Sequence, residues 1–352
     1  MFTRRRFLQI AGGTGGLVAL AGIGRAAQVG LLPRSSEPLA SWGSSHERGV
    51  RAIVETGTLA ANPHDSQPWK FRVRQDTIDV YLDLGRALGP VDPFLRQMHF
   101  GIGCALENLV IGASAQGRSA SVTLFPDPAN ATFAARLVLG GAGESVSAHA
   151  AMVRRRHTNR GPYEPSRALP NSTRTALHRQ QRDARTSLTL FDTSSTKGTE
   201  FARLIGGSTE ALIEDDTFMR VTDAWFRWTP HDVAAHRDGP SLDCAGLSPL
   251  LRIAAQLGPA SSDESFRRSW LDSTRDVHLA TAAAFGVVAV RDPTSPAQLV
   301  EAGRLWQRVH LASSRPEMAF RQQIVGDRRH AHRSAAVGSA RKRAGGTGDF
   351  GR

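Results

Sequence analysis

Residues 61–71 read Ala61-Asn62-Pro63-His64-Asp65-Ser66-Gln67-Pro68-Trp69-Lys70-Phe71, a polar run punctuated by two prolines. Upstream, Val50, Ile53, Val54 and Gly57 recur at helical spacing; downstream, Phe71/Val73 and then Ile78/Val80/Leu82 alternate. The first pattern marks one face of a helix and the second a half-buried strand. The run therefore joins a helix to a strand. Such a loop offers amides and backbone N–H groups at a rigid edge, where a ligand can be held. Two readings follow. Trp69 by itself is a core residue behind a proline-bounded turn. Asn62, Pro63, His64, Asp65 and Gln67 together are a ligand-contact loop.

Working outward, Gln75-Asp76 separates two strands, Trp69–Arg74 and Thr77–Leu84, as a hairpin turn would. Gly101–Gln116 is apolar around most of its circumference, which predicts a buried helix. Ser121–Phe125 and Ala135–Leu139 are strand-like, and Gly-rich residues 140–144 break the chain. Beyond residue 150 the pattern is helical near 171–180, 199–214 and 216–228, with a polar loop at Gly239-Pro240. Ala283–Val290 reads as a strand and Gln298–Ser313 as a helix. One internal echo stands out. Gly103-Cys-Ala-Leu-Glu-Asn-Leu-Val-Ile-Gly-Ala-Ser114 aligns with Gly303-Arg-Leu-Trp-Gln-Arg-Val-His-Leu-Ala-Ser-Ser314. Either two helices are alike by chance, or the chain holds two related halves.

A second polar segment is Arg154-Arg155-Arg156-His157-Thr158-Asn159-Arg160-Gly161-Pro162. Arg156, Thr158 and Arg160 are two apart, so an extended backbone points all three to one side. Guanidinium forks suit phosphate, and a hydroxyl between them adds a donor. A solvated charge run is the plainer alternative.

The 352 residues carry a formal charge of +12. That charge sits at the ends: residues 1–28 hold +4, residues 321–352 hold +6, and the rest of the chain holds +2. A nearly balanced body argues against nucleic acid as a partner. Cys104 and Cys244 belong to no metal-ligand pattern and read as buried free thiols. The twelve histidines form no HExxH or Cys/His cluster, so no metal site is expected. Thr3-Arg4-Arg5-Arg6-Phe7-Leu8-Gln9 fits the twin-arginine export pattern. Residues 8–24 follow as a weakly apolar stretch with six glycines, short of the ~20 apolar residues of a stable span. The layout expected is a signal at 1–27, a linker at 28–46, a first half at 47–150, a second half at 151–320 and a basic disordered tail at 321–352. A truncated or frame-shifted end is the alternative for that tail. The twin-arginine route carries folded proteins, which favours a cofactor loaded before export. The destination is the periplasm or cell envelope, and the partner is the translocation machinery.

The 62–71 run resembles the Ser-x-x-Asn-x-Gln-Pro-Trp-x-Phe loop of the nitroreductase family, and Arg156-x-Thr158-x-Arg160 resembles that family's phosphate element. Leu88-Gly-Pro-Val-Asp92-Pro93-Phe-Leu-Arg96 and Glu107-Asn108 look like its Acg-type branch. The resemblance covers roughly residues 48–313. It implies an α+β, nitroreductase-like fold whose two halves form an intramolecular pseudo-dimer around one FMN. The first half would supply Asn62, Pro63, His64, Asp65 and Gln67; the second would supply Arg156, Thr158 and Arg160 for the 5′-phosphate. Trp225–His231 and His236–Pro240 would belong to a lid near residues 215–247, unless Trp225 and Trp228 are one helical core stripe. The sequence departs from the pattern at Asn62, where Ser is usual, and at Asp65, where Asn is usual. A carboxylate there disfavours an anionic reduced flavin. The implied activity is flavin-mediated transfer of hydride or electrons to a nitro- or quinone-like acceptor, with no catalytic side chain. The competing roles are an FMN-sequestering protein and a degenerate protein without flavin. A self-contained pseudo-dimer predicts a monomer.

Overall fold

A computed structural model describes residues 24–29, 31, 42–43, 47–143, 145–164, 168–247, 249–257 and 263–314. The expected signal up to residue 23 and the basic tail lie outside the described residues. No helix among the described residues is long and apolar enough to cross a membrane.

The chain forms α1 (Gly49–Thr58), β1 (Trp69–Val73), β2 (Thr77–Leu82), α2 (Arg96–Ala115), β3 (Arg118–Leu124) and β4 (Phe133–Ala142). It continues with α3 (Asn171–His178), β5 (Thr186–Asp192), α4 (Thr196–Glu214), α5 (Asp216–Trp225), α6 (Pro230–His236), α7 (Pro249–Leu257) and α8 (Asp263–Asp272). A π-helical turn at Ser273–Leu279, β6 (Ala284–Val290) and α9 (Pro296–Ser313) complete it. The architecture is α+β, as expected. One antiparallel sheet has the order β1-β2-β4-β3, and β5 pairs with β6 in a second, with Leu188 opposite Val288.

The main core lies between α2 and the four-stranded sheet. Ile78, Val80 and Leu137 from the sheet meet Ile53, Ile102, Leu106 and Leu109, all inaccessible to solvent. The expected all-round burial of α2 is present: from Gly101 to Leu109 every residue is buried. Asp92 starts that helix by accepting hydrogen bonds from the amides of Gln97 at 3.1 Å and Met98 at 3.0 Å. Its carboxylate there satisfies donors that the helix cannot and favours the positive end of the helix dipole. A smaller core of Leu177, Leu188, Leu305 and Val309 sets α9 against the second sheet.

Three sequence readings need correction. Strand β5 and the helices between residues 249 and 279 carried no expectation. Leu188 and Leu190 alternate, but over too few residues to stand out within a helical stretch. The helix expected at 216–228 ends at Trp225, because Phe226 is extended and Arg227 bridges to Ser241. Trp225 and Trp228 therefore do not share a helical stripe; both are half-buried. Cys104 is buried as expected, but Cys244 is exposed.

Helices α2 and α9 cross at Gly103 and Gly303. A Cβ on Gly103 would lie 2.0 Å from the Val300 carbonyl oxygen, and one on Gly303 would lie 2.0 Å from that of Phe100. Neighbouring contacts repeat the exchange. The Glu107 carboxylate takes Arg308 at 2.8 Å, while Gln307 donates to Asn108 at 2.8 Å. These pairs swap under the alignment of 103–114 with 303–314, which is how contacts across a two-fold axis behave. Arg304 joins Glu107 at 2.9 Å, so a buried carboxylate holds two guanidiniums across the crossing.

Gly103→Ala or Gly303→Ala forces the helix backbones apart and should cost about 3 kcal/mol or more. Gly207→Ala on α4 meets nothing within 4 Å and should be neutral or stabilising by about 1 kcal/mol. Chemical denaturation of the three variants checks both.

Candidate functional site

The run from Asn62 to Gln67 leaves α1 and turns back into β1. Three of its residues hold left-handed backbones: His64 (φ 51°), Asp65 (φ 45°) and Gln67 (φ 49°). Each costs a non-glycine residue energy and persists only where its surroundings impose it; such residues gather at functional sites. The imposition here is visible. Asn62 accepts from the Gln67 amide at 2.8 Å and donates to the Ala60 carbonyl at 3.2 Å and to Asp65 Oδ1 at 3.1 Å. The Ser66 amide donates to the Pro63 carbonyl at 3.0 Å. Beneath the loop, Gly101 of α2 makes room, since a Cβ there would meet Pro63 at 3.1 Å and Asn62 at 3.3 Å.

The run from Arg156 to Arg160 lies outside helix and strand, and Arg156 itself is extended. Arg156 is buried; Thr158 and Arg160 are half-buried. Arg156 donates to the Leu59 carbonyl at 3.0 Å and lies 5.2 Å from the Trp42 ring centre. Its Nε is buried and has no partner among the described residues. Arg160 donates to the Cys244 carbonyl at 3.0 Å, and its own carbonyl meets His278 Nε2 at 3.0 Å. His278 belongs to the π-helical turn, a conformation that often marks functional positions.

The two runs are neighbours: Arg156 reaches the Leu59 carbonyl, three residues before Asn62, and Arg156 and Arg160 both act electrostatically on Asp65. Neighbouring protein crowds the Asp65 side chain, but the residue itself is exposed to solvent. The 215–247 region closes over the same place. The Gly239 amide donates to the Asp65 carbonyl at 3.0 Å, and Gln67 donates to the Arg237 carbonyl at 3.1 Å. Arg86 donates to both the Ser66 carbonyl and Asp238, each at 2.9 Å, and Arg227 holds the other oxygen of Asp238 at 2.6 Å. From α5, Thr222 shares a hydrogen bond with His64 Nε2 at 3.3 Å, and Phe218 stands edge-on to its ring at 6.5 Å.

Burial shapes the charges. Desolvation pushes the Asp65 carboxyl above the usual carboxylate range, Asp238 adds to that, and Asn62, Arg156 and Arg160 oppose it. Burial alone lowers His64 to about 4. His310 on α9, whose ring faces the His157 carbonyl at 3.4 Å, falls to about 3 through burial and then the charge of Arg156. Both imidazoles are neutral at pH 7.

The eight residues singled out in the sequence thus lie on two neighbouring segments. They differ in availability: the polar atoms of Asn62 are engaged within its own loop, whereas Arg156 keeps one donor without a partner among the described residues. The sequence did not reveal Arg86, Trp42 or His278. Arg86 and Asp238 are 152 positions apart, so only their opposite charge was visible. The Arg237–Gly239 turn touches the 62–67 loop directly, and Trp225–His231 backs that turn through the Trp225 carbonyl against Gly239 and Arg227 on Asp238.

No protein-family model matches the chain. Two Mycobacterium tuberculosis proteins are similar to part of it. The one named "Putative NAD(P)H nitroreductase acg" is 29% identical over 119 residues, 32% of this chain and 35% of its own length. The one named "Putative NAD(P)H nitroreductase Rv3131" is 28% identical over 116 residues, again 32% of this chain and 34% of its own length. The similarity is to nitroreductases. The chain spans about a third of the length of these curated relatives.

Two expectations follow from the charges. Asp65 is charged at an energetic cost in the folded state, so Asp65→Asn should melt higher than the parent at pH 8. That advantage should vanish as pH falls toward the ordinary carboxylate value, where both folded and unfolded chains bind the proton. The lowered histidines act in the opposite sense. Their contribution is complete above the ordinary imidazole pKa and is lost as pH falls toward 4 for His64 and 3 for His310. Each should contribute a slope of up to ~1.4 kcal/mol per pH unit in that window. Denaturation across pH, repeated on His64→Gln, checks the sign.

Proposed function

We propose that this chain is an exported, nitroreductase-like oxidoreductase that holds one FMN between residues 62–67 and Arg156-x-Thr158-x-Arg160. The observation that carries the reading is the nearness of these two segments, together with the buried Nε of Arg156, which has no partner among the described residues. A buried cationic donor without an acceptor is costly, and a phosphate oxygen would satisfy it. The residue types fit the group: guanidiniums for phosphate, and a rigid, polar, strained loop for a planar ring. Similarity to two proteins named as NAD(P)H nitroreductases supports the same class.

When bound, the flavin supplies two-electron chemistry at its ring, here toward a nitro- or quinone-like acceptor. The chain's residues bind, orient and shield it. Arg156, Thr158 and Arg160 would fix the phosphate end. The 62–67 loop, braced by Asn62 and seated on Gly101, would fix the position of Asp65 and Gln67 at the ring end. The Arg237–Gly239 turn would exclude water. The exchange of contacts about Gly103 and Gly303 supports two related halves forming an intramolecular pseudo-dimer, with a monomer as the working state. Export rests on Arg4-Arg5-Arg6-Phe7-Leu8, and loading FMN before folded-state transport is consistent with it. An envelope location lacks soluble pyridine nucleotide, so the donor there would be another reductant.

A second reading, flavin sequestration without turnover, is favoured by the way Gly239, Arg237 and Asp238 are fastened to the 62–67 loop. Anaerobic NAD(P)H addition to the purified holoprotein separates the two: bleaching of the flavin band supports an enzyme, and an unchanged band supports sequestration.

Purified protein should carry a flavin spectrum and take up added FMN. Arg160→Ala should weaken FMN retention by tens to hundreds of fold, the worth of a charge-assisted hydrogen bond to phosphate. Arg156→Ala should also loosen the Leu59 end of α1. Ultrafiltration with absorbance of the filtrate reads retention; unchanged affinity in Arg160→Ala overturns the phosphate assignment.

A further inference from the structure

Arg160 is fastened from two sides. On one side stands the π-helical turn at Ser273–Leu279 and the helical residues that follow it. His278 Nε2 meets the Arg160 carbonyl at 3.0 Å, and Thr281 Oγ1 accepts from the Tyr163 amide at 2.9 Å. Thr281 in turn donates to the Val277 carbonyl. The two contacts are three residues apart on both segments, so the chain from 160 to 163 is held at each end by the same helix. On the other side lies the turn after Leu242. Arg160 Nη1 donates to the Cys244 carbonyl at 3.0 Å. Gly246, at φ +75°, packs so closely that a Cβ there would lie 2.7 Å from the Arg160 carbonyl oxygen. One carbonyl is thus caught between an imidazole and a glycine, while the guanidinium of the same residue is tethered beside them. His278 is 6% exposed, so little water competes for the bond. A carbonyl oxygen only accepts, so Nε2 carries the hydrogen and Nδ1 is an acceptor. Nδ1 is buried without a partner among the described residues, as is Oγ1 of Thr274, about one turn earlier. The ring's single printed bond is therefore the one to Arg160.

We propose that His278 is the positioning residue of Arg160: by donating from Nε2 to the Arg160 carbonyl, against Gly246 as a backstop, it fixes the backbone from which the guanidinium reaches a phosphate ester. This rests on the phosphate role given above to Arg160. An arginine side chain has many rotamers, and ordering it on binding weakens affinity. Here the backbone is clamped and Nη1 is held by Cys244 before any ligand arrives. What remains is the Nε–Nη2 edge, the pair of donors that grips a phosphate in parallel. A guanidinium set in advance binds its anion more tightly than one that must be ordered. The 156–160 run lies outside helix and strand and has no ladder of its own to fix it. The π-helical turn supplies that support from a segment more than a hundred residues away in the chain. The effect is confined to the phosphate end of a ligand, because His278 contacts Arg160 and not the 62–67 loop. His278 thereby favours phosphorylated flavin over flavin without phosphate.

The test uses the full chain, with FMN and riboflavin titrated separately by quenching of flavin fluorescence. His278→Leu removes the donor; His278→Gln keeps an N–H at about the same reach. His278→Leu should weaken FMN by about tenfold, the worth of one buried hydrogen bond, and leave riboflavin within twofold. His278→Gln should recover most of the FMN affinity. A merely structural histidine would change both ligands together and would not be rescued in this selective way. The losses should also fail to add: with Arg160→Ala already present, His278→Leu should weaken FMN no further. Gly246→Ala presses on the same carbonyl from the opposite side and should give the same FMN-selective loss, which keeps the test open if His278→Leu does not fold. If these variants weaken FMN and riboflavin alike, or leave FMN unchanged while Arg160→Ala weakens it, the inference is overturned. If Arg160→Ala itself leaves the ratio of FMN to riboflavin affinity unchanged, or the parent binds neither flavin, the phosphate reading fails and the positioning role falls with it.

Discussion

The structure depends on one close approach. Helices α2 and α9 touch backbone to backbone at Gly103 and Gly303, and neither position has room for a methyl group. Everything attached to these helices inherits that spacing. The 62–67 loop is seated on α2 through Gly101, and the His157 carbonyl meets His310 on α9. The distance between the proposed flavin loop and the proposed phosphate run is therefore set by the helix crossing rather than by the loops. The Glu107 network, held by Arg304 and Arg308, reinforces the crossing. Buried ion pairs of this kind add less to stability than to the choice of one geometry.

Much of this was legible in the sequence where local periodicity and burial agreed. Apolar residues recur two apart in β2 (Ile78, Val80, Leu82) and β3 (Val122, Leu124), and the middle of α2 is apolar on most sides because protein covers it all round. The echo between residues 103–114 and 303–314 was visible as sequence, but its physical meaning, a glycine pair at a crossing, required coordinates. The region from 249 to 279 gave no signal. Helices α7 and α8 are covered on only part of their surface, and the π-helical turn breaks the 3.6-residue period. Residues 62–67 were identified as a loop with the right chemistry, but three left-handed backbones without glycine cannot be read from residue types. The coupling of Arg86 to Asp238 is a tertiary event between two ordinary surface-like residues.

The site unites two opposing demands. Crowding by protein around Asp65 is unfavourable for the charged carboxyl, and Asn62, Arg156 and Arg160 offset this. Stability is thus spent where the ligand would bind, while the neutral histidines His64, half-buried, and His310, buried, make the same region acid-sensitive. Natural proteins commonly place such local inconsistencies at sites of function.

Arg86 has a further consequence. One of its nitrogens, Nη1, contacts the carbonyl of Ser66 and the carboxylate of Asp238 together. Opening the turn at Arg237–Gly239 therefore takes Asp238 from Arg86, leaving it the more distant Asp83 at 3.8 Å, and loosens the loop that would face the ligand, in a single event. Entry and exit would be slow and linked, with ionic strength acting on how long a ligand stays more than on how well it fits. If, as proposed, the protein is exported with its flavin already bound, residence time is the quantity that matters.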